Sequence, residues 1–143
     1  MIITPNYHFN GECEQALKLY EKAFNGRITE LLHYYDADPA NLEINHLTDR
    51  EKELVYHSEM LIGGQRFFFS DSLDEIPFGR NISLVVTFAE VQEVRDAYEI
   101  LAAGGNVITP LEETTYSSCF VSLADRFGMR WELMTENNGH TVE

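Results

Sequence analysis

The feature that most constrains this chain's fold is that the sequence repeats itself. Setting Phe9 against Phe88, an offset of 79 (88 minus 9), brings Glu14 onto Glu93, Gly26 onto Gly105, Ile28 onto Val107 and Leu32 onto Leu111. A one-residue gap also brings Tyr20-Glu21 onto Tyr98-Glu99. Each copy reads as a strand, an amphipathic helix, a glycine stop and another strand. Further on, Gly64-Gln65-Arg66-Phe67-Phe68-Phe69 matches Gly128-Met129-Arg130-Trp131-Glu132-Leu133, an offset of 64 (128 minus 64). Both segments run turn glycine, Arg, aromatic, any residue, apolar. The two offsets differ by 15 (79 minus 64), so the first copy carries about fifteen extra residues between Leu32 and Gly64. The polar stretch from Asp36 to Glu53, with Asp38-Pro39 as its turn signal, is where they are expected.

The periodicities assign the elements. Asn10-Gly11 precedes a helix whose opening turn carries Glu12 and Glu14, the sign that suits a helix N-terminus. Cys13, Ala16, Leu17, Tyr20, Ala23 and Phe24 form its apolar stripe, and Gly26 is expected to end it. A second helix is expected from about Glu90, with Val91, Val94, Tyr98 and Leu101 as its stripe and Gly104-Gly105 as its stop. Side chains alternate across a strand. In the first strand Ile3, Pro5, Tyr7 and Phe9 share one face, and Thr4, Asn6 and His8 the other. In its repeat Leu84, Val86 and Phe88 oppose Ser83, Val85 and Thr87. In the last strands Phe67 and Phe69, or Trp131 and Leu133, lie opposite Arg66, Phe68 and Ser70, or Arg130, Glu132 and Met134. Each sheet therefore has an apolar face for its helix and a mixed face. Open solvent or a sheet curved around a cavity accounts for the mixed face. Phe68, Val85 and Met134 on it favour the cavity.

Length and charge narrow the classes. The chain has 143 residues, the size of one domain, and is expected to form a single domain over 1–143. Its modules are placed at about 1–75 and 80–136, with the insertion at about 36–53 and a flexible C-terminal tail that includes His140. A formal net charge of −14 argues against nucleic acid and anionic membranes as partners, since both attract basic surfaces. No apolar run approaches the roughly 18 residues that span a bilayer, and Met1-Ile2-Ile3-Thr4-Pro5-Asn6 has no signal-peptide character, so a cytoplasmic location is expected. Cys13 and Cys119 are far apart and outside any CxxC, which predicts free thiols, mostly as small buried hydrophobes. Cys13 lies near a helix N-terminus, a position that lowers a thiol pKa.

A set of ordered motifs points to a family. They are Pro5-x-Tyr7-x-Phe9-x-Gly11 with Glu14-x-x-Leu17-x-x-Tyr20; His57-Ser58-Glu59 before Leu61-Ile62-Gly63-Gly64; and Ser70-Asp71-Ser72. Later come Leu101-Ala102-x-Gly104-Gly105, Thr115-Tyr116 and Asp125-Arg126-Phe127-Gly128-Met129-Arg130-Trp131. In order and spacing the chain resembles the vicinal oxygen chelate superfamily, which unites glyoxalases, bleomycin-resistance proteins and extradiol dioxygenases, and within it the PhnB-like branch. The resemblance implies an α+β fold of tandem βαβββ repeats, with curved mixed sheets around a cup and helices on the outer face. Metal-using members hold a divalent ion in the cup with His, Gln or Glu from the first and last strands of each unit. Carried onto this chain, those positions are Thr4, Phe68 (or Ser70), Ser83 and Glu132. Only Glu132 is a good ligand, and a catalytic metal needs about three. No metal and no cofactor are therefore expected. Relatives in this branch have carried a ubiquinone-methyltransferase label. That activity in its usual form needs a glycine-rich loop after a strand in a doubly wound sheet, and neither is legible here.

The candidate ligand-binding residues are His8, His57, Glu59, Phe68, Tyr116 and Glu132. His57 and Glu59 are two apart on a strand and share a face. Such a pair is either a minimal acid–base kit or a structural hydrogen bond. Trp131 is expected in the core, and Asp71-Ser72 at a turn. The function expected is small-molecule binding in a metal-free cup, by an uncharacterised PhnB-like protein that works as a homodimer. The alternatives are a metal-dependent lyase, isomerase or dioxygenase with an altered ligand set, and an interaction module whose polar face is a dimer surface.

Overall fold

A computed structural model describes residues 1–40 and 44–137. His140 and the rest of the expected tail lie outside the described residues, as does part of the expected insertion. The elements are β1 (Asn6–Phe9), α1 (Cys13–Phe24), β2 (Arg27–His33), α2 (Asp49–Lys52), β3 (Val55–Ile62) and β4 (Gln65–Asp71), then β5 (Leu84–Phe88), α3 (Val91–Ala102), β6 (Asn106–Glu112), β7 (Cys119–Ala124) and β8 (Arg130–Thr135). They fall into two compact units, Met1–Pro77 and the chain from Phe78 onward.

Each unit is one four-stranded mixed sheet under one long helix. The strand orders are β1-β4-β3-β2 and β5-β8-β7-β6. β1–β4 and β5–β8 pair parallel, and the other pairs are antiparallel. The offsets read from sequence reappear in the register: Asn6 lies opposite Phe68, and Val85 opposite Glu132. The connections between the matched strands differ in length. Residues 34–54 separate β2 from β3, whereas 113–118 separate β6 from β7, twenty-one against six.

The helices bury the apolar sheet faces. Cys13, Ala16, Leu17 and Tyr20 of α1 are fully buried with Phe9, Met60 and Phe69. Ala23 and Phe24 are only partly buried. The Phe67 and Phe69 rings stack 5.9 Å apart, and Tyr20 tilts against Phe69 at 5.6 Å. In the second unit Val94, Ala97 and Leu101 meet Val121, Leu123, Trp131 and Leu133. Each large side chain so buried contributes about 1.5–3 kcal/mol.

Several expectations shift by a residue or a turn. β1 starts at Asn6, and Ile3, expected on the buried face, is 82% exposed. α1 ends on Asn25 in the left-handed conformation (φ 52°), and the expected stop, Gly26, is needed for space instead. A Cβ on Gly26 would meet Met60 Sδ at 2.9 Å. In α3 Ala97 takes the core place expected of Val91, which is exposed, and Tyr98, which is half-buried. Trp131 is in the core as its parity predicts, and its indole N–H donates to Asp125 Oδ2 at 2.9 Å.

Asp71 is not a turn residue. It ends β4, is 3% exposed, and holds the first unit together. Its Oδ1 accepts from the N–H groups of Gly11 (3.0 Å) and Cys13 (2.9 Å), and Oδ2 accepts from Val55 N–H at 2.9 Å. Its carbonyl accepts from the Tyr34 hydroxyl at 2.8 Å. The N-terminus of α1 has no side-chain cap of its own, so a carboxylate from β4 satisfies its orphan donors. Burial pushes this carboxyl above the ordinary aspartate value, against the downward pull of its three N–H donors. Beside it, burial first and the Asp71 charge second push the Cys13 thiol well above the usual cysteine range. The activated thiol that helix position alone suggests is thus reversed by desolvation.

Candidate functional site

The mixed face of the first sheet is read directly from its register. Asn6 and His8 of β1 lie opposite Phe68 and Ser70 of β4, and Glu59 of β3 lies opposite Phe68. His57 lies opposite Leu32 of β2 on the same face. Four candidates, His8, His57, Glu59 and Phe68, therefore share one surface.

Phe68 is its centre. The His57 ring meets the Phe68 ring edge-on, with centroids 4.8 Å apart. The Arg66 guanidinium lies over the same ring at 5.1 Å, and its Nη2 donates to Thr4 Oγ1 at 3.4 Å. His8 Nδ1 and Ser70 Oγ are hydrogen-bonded at 3.0 Å. The expected His57–Glu59 pair shares the face without pairing. His57 Nε2 instead approaches Glu30 Oε2 at 3.9 Å, an exposed contact worth at most about 1 kcal/mol. Glu59 Oε1 accepts from the Thr29 hydroxyl at 3.1 Å.

The second sheet presents a different set. Val85 and Thr87 of β5 lie opposite Glu132 and Met134 of β8, and Ser122 and Phe120 of β7 lie opposite the same two residues. The Ser83 hydroxyl donates to Glu132 Oε2 at 3.0 Å. Arg130 Nη1 donates to the Arg80 carbonyl at 2.7 Å. Ser122 Oγ and Arg130 Nε are buried with no hydrogen-bond partner among the described residues. Tyr116 is 51% exposed in the β6–β7 connection, its ring edge-on to Phe120 at 6.0 Å.

Sequence reasoning placed Arg66 and Arg130 on the mixed faces without counting them among the candidates, and missed Glu30, Thr29 and Ser122. Only the arginines left a signal, since both follow the repeated turn glycine by two residues. Two other histidines stand elsewhere. His46 is exposed in the connection after β2. His33 bonds through Nε2 to Glu14 of α1 at 2.8 Å and through Nδ1 to the Tyr35 hydroxyl at 3.0 Å. The inserted segment also borders a cleft of about 460 Å³, lined among others by Asn10, Thr48, Arg50, Glu51, Asp74 and Glu75.

The metal positions implied by the resemblance do not fit a metal. In the first unit they are a threonine hydroxyl, already tied to Arg66, and a phenyl ring under a guanidinium. In the second they are a serine hydroxyl and the one carboxylate it donates to. Neither pair supplies more than one strong donor, and a cation already stands over the Phe68 position. Ser70, the alternative position, is engaged with His8. Among the described residues no group of three or more His, Cys, Asp or Glu is placed to hold a metal ion.

The chain is similar to protein PA1353 of Pseudomonas aeruginosa, with a TM-score of 0.83, 25% identity, and coverage of 95% of this chain and 98% of that one. It is similar to the PhnB protein of Bacillus cereus, with a TM-score of 0.79, 26% identity, and coverage of 94% and 99%. A glyoxylase/bleomycin resistance protein/dioxygenase domain from Frankia shares the fold at 13% identity, with a TM-score of 0.66 and coverage of 98% and 94%. No helix among the described residues is long and apolar enough to cross a membrane. The family model described as 3-demethylubiquinone-9 3-methyltransferase matches residues 1–134. Both sheets are mixed and four-stranded, and neither is the doubly wound parallel sheet expected of that activity in its usual form. With this match over most of its length, the chain belongs to the family described as 3-demethylubiquinone-9 3-methyltransferase, is similar to a PhnB protein, and has the fold of a glyoxylase/bleomycin resistance protein/dioxygenase domain.

Proposed function

We propose that this protein binds a small molecule on the mixed faces of its sheets, without a resident metal, and works as a homodimer. The observation that carries the reading is the donor set at the four matched positions: Thr4, Phe68, Ser83 and Glu132 offer one carboxylate between them. What replaces a metal centre is a surface for recognition. On the first sheet Phe68 stands among His8, His57 and Glu59, and on the second Val85, Phe120 and Met134 stand among Ser122 and Glu132, so each face by itself alternates apolar area with hydrogen-bonding groups. Small-molecule sites combine these same two ingredients. The dimer is supported by exposed isoleucines at matched positions of the repeat. Ile3 (82% exposed) and Ile82 (76%) stand just before β1 and β5, each an edge strand of its sheet. Bare apolar side chains beside an unpaired strand edge favour association.

Elemental analysis of protein purified without chelator tests the metal-free reading. Substoichiometric metal is expected, with a melting temperature unmoved by chelator or by added Zn²⁺, because a metal bound to the fold stabilises it by mass action. A stoichiometric transition metal that Glu132→Ala removes would sink the reading and favour a metalloenzyme with an altered ligand set. Light scattering at micromolar concentration tests the dimer, and a monomeric mass would refute it.

A further inference from the structure

Among the described residues, the two buried side-chain polar atoms without a hydrogen-bond partner, Ser122 Oγ and Arg130 Nε, belong to the paired strands β7 and β8. Ser122 is 1% exposed and sits directly opposite Glu132 in the β7–β8 register, so their side chains leave the sheet on the same face as neighbours. Arg130 precedes Glu132 by two residues on β8 and so shares that face. Its guanidinium is anchored through Nη1 on the Arg80 carbonyl, which leaves the buried Nε–H without an acceptor. Ser83 occupies Glu132 Oε2. The surface therefore presents a carboxylate acceptor flanked by two buried donors, the Ser122 hydroxyl and the Arg130 Nε–H. Buried polar groups are nearly always partnered in folded proteins, and an orphaned one costs stability. Around the three lie Val85, Met134 and Phe120.

We propose that the face of the second unit recognises a carboxamide-type group, one that carries an N–H donor and a carbonyl acceptor side by side on an apolar body. The N–H donates to Glu132, and the carbonyl accepts from Ser122 and Arg130. The body lies against Val85, Met134 and Phe120. A carboxylate ligand fails at Glu132 by like-charge repulsion. A plain ketone brings no donor to Glu132, whose Oε2 alone is occupied by Ser83. The inference rests on the small-molecule reading above and gives it a ligand class.

Three matched probes test it: benzamide, acetophenone (the same shape with methyl for NH₂) and benzoate. Methyl NMR of the full chain follows Val85 and Met134. Benzamide is expected to shift both signals and to bind about tenfold more tightly than acetophenone, with benzoate weaker still, because a site built to receive a donor rejects the analogue lacking one. Glu132→Gln, whose amide serves either role, is expected to collapse the difference between benzamide and acetophenone. Ser122→Ala is expected to weaken benzamide by about three- to tenfold while leaving the melting temperature unchanged or higher, since an unpartnered hydroxyl gives the fold nothing. A clear destabilisation by Ser122→Ala would show that the hydroxyl has a structural partner, and would overturn the proposal. Equal binding of benzamide and acetophenone at these methyls would also overturn it, while leaving small-molecule binding intact. No shift at either methyl with any probe overturns it too. The metal-free reading fails separately, on the elemental analysis.

Discussion

The two units share a backbone plan and secure it differently. Glu14 and Glu93 are matched in the repeat, yet only Glu93 caps its helix, accepting from Glu90 N–H at 3.0 Å. Glu14 instead takes the Nε2 of His33. The opening of α1 is capped from a distance by Asp71, 58 residues further along the chain from Cys13. In the second unit the place of Asp71 falls to Thr135, whose hydroxyl meets Ser118 at 2.6 Å. The buried carboxylate there is Asp125, in the β7–β8 turn, accepting from Phe127, Met129 and the Trp131 indole. A helix that caps itself frees the strand end to carry something smaller. A helix without a local cap must be tied to the sheet.

The mixed faces diverge in the same manner. In the first unit the carboxylate is Glu59 on β3, opposite Phe68 on β4. In the second it is Glu132 on β8, opposite Ser122 on β7. The acid has moved to the other strand of the pair while the register stayed fixed. Backbone pairing is held by every residue of a strand, so single substitutions on the mixed face do not disturb it.

The largest test of the comparison is Asp71→Ala against Glu93→Ala and Thr135→Val. Removing the Asp71 carboxylate leaves three N–H groups without an acceptor at 3% exposure. At about 1–3 kcal/mol for each orphaned group, a loss above about 4 kcal/mol is expected in urea denaturation. Glu93→Ala removes an exposed capping bond, and about 1 kcal/mol or less is expected. Thr135→Val breaks one bond between hydroxyls, for about 1 kcal/mol. Comparable losses for all three would mean that the units are secured alike.

Close approach gives a second contrast of smaller size. A Cβ on Gly105 would lie 2.4 Å from the Ala124 carbonyl oxygen and 3.1 Å from Asp125 backbone atoms. A Cβ on Gly26 meets chiefly the Met60 sulfur, the end of a flexible side chain, with the Tyr20 carbonyl at 3.3 Å. Gly105→Ala is therefore expected to cost about 3 kcal/mol, the upper end of overpacking, because backbone must move. Gly26→Ala is expected to cost about 1 kcal/mol as Met60 turns away. Equal midpoints for the two variants would break the distinction.

What the sequence made legible is what depends on period. Offsets of 79 and 64 reappear in the strand register, and the stripe of α1 is buried through Tyr20. Strand parity likewise put His8 and Phe68 on the mixed faces of their strands and His57 with Glu59 on one face, and the register joins the four on one surface. What stayed hidden are bonds between distant residues. Asp71 to Gly11, His33 to Glu14 and Ser83 to Glu132 have no local spacing to betray them. Asp71-Ser72 looks like a turn because Asp favours turns when exposed. The same residue type becomes a clamp when the chain brings three N–H groups to it. His57 shows the limit of parity, which places two side chains on one face without saying that they touch. Its near carboxylate is Glu30 on the neighbouring strand.

The cysteines give the finest test, and in the intact protein the expected effect is none. Cys13 of the first unit is fully buried and Cys119 of the second is 5% exposed. Burial and the Asp71 charge keep the Cys13 thiol protonated well beyond the usual cysteine range, so little thiolate forms at pH 8. Native protein treated with iodoacetamide should remain unlabelled at both sites by mass spectrometry, and urea should expose both together. Asp71→Ala should separate them. It releases the N–H groups of Gly11 and Cys13, loosens the first turn of α1 and removes the charge that helps hold the thiol protonated. Cys13 should then label through local opening while Cys119, in the interior strand β7, stays protected. Simultaneous labelling would mean that the variant unfolds both units at once, and that the Asp71 clamp serves the whole chain and not the first unit alone.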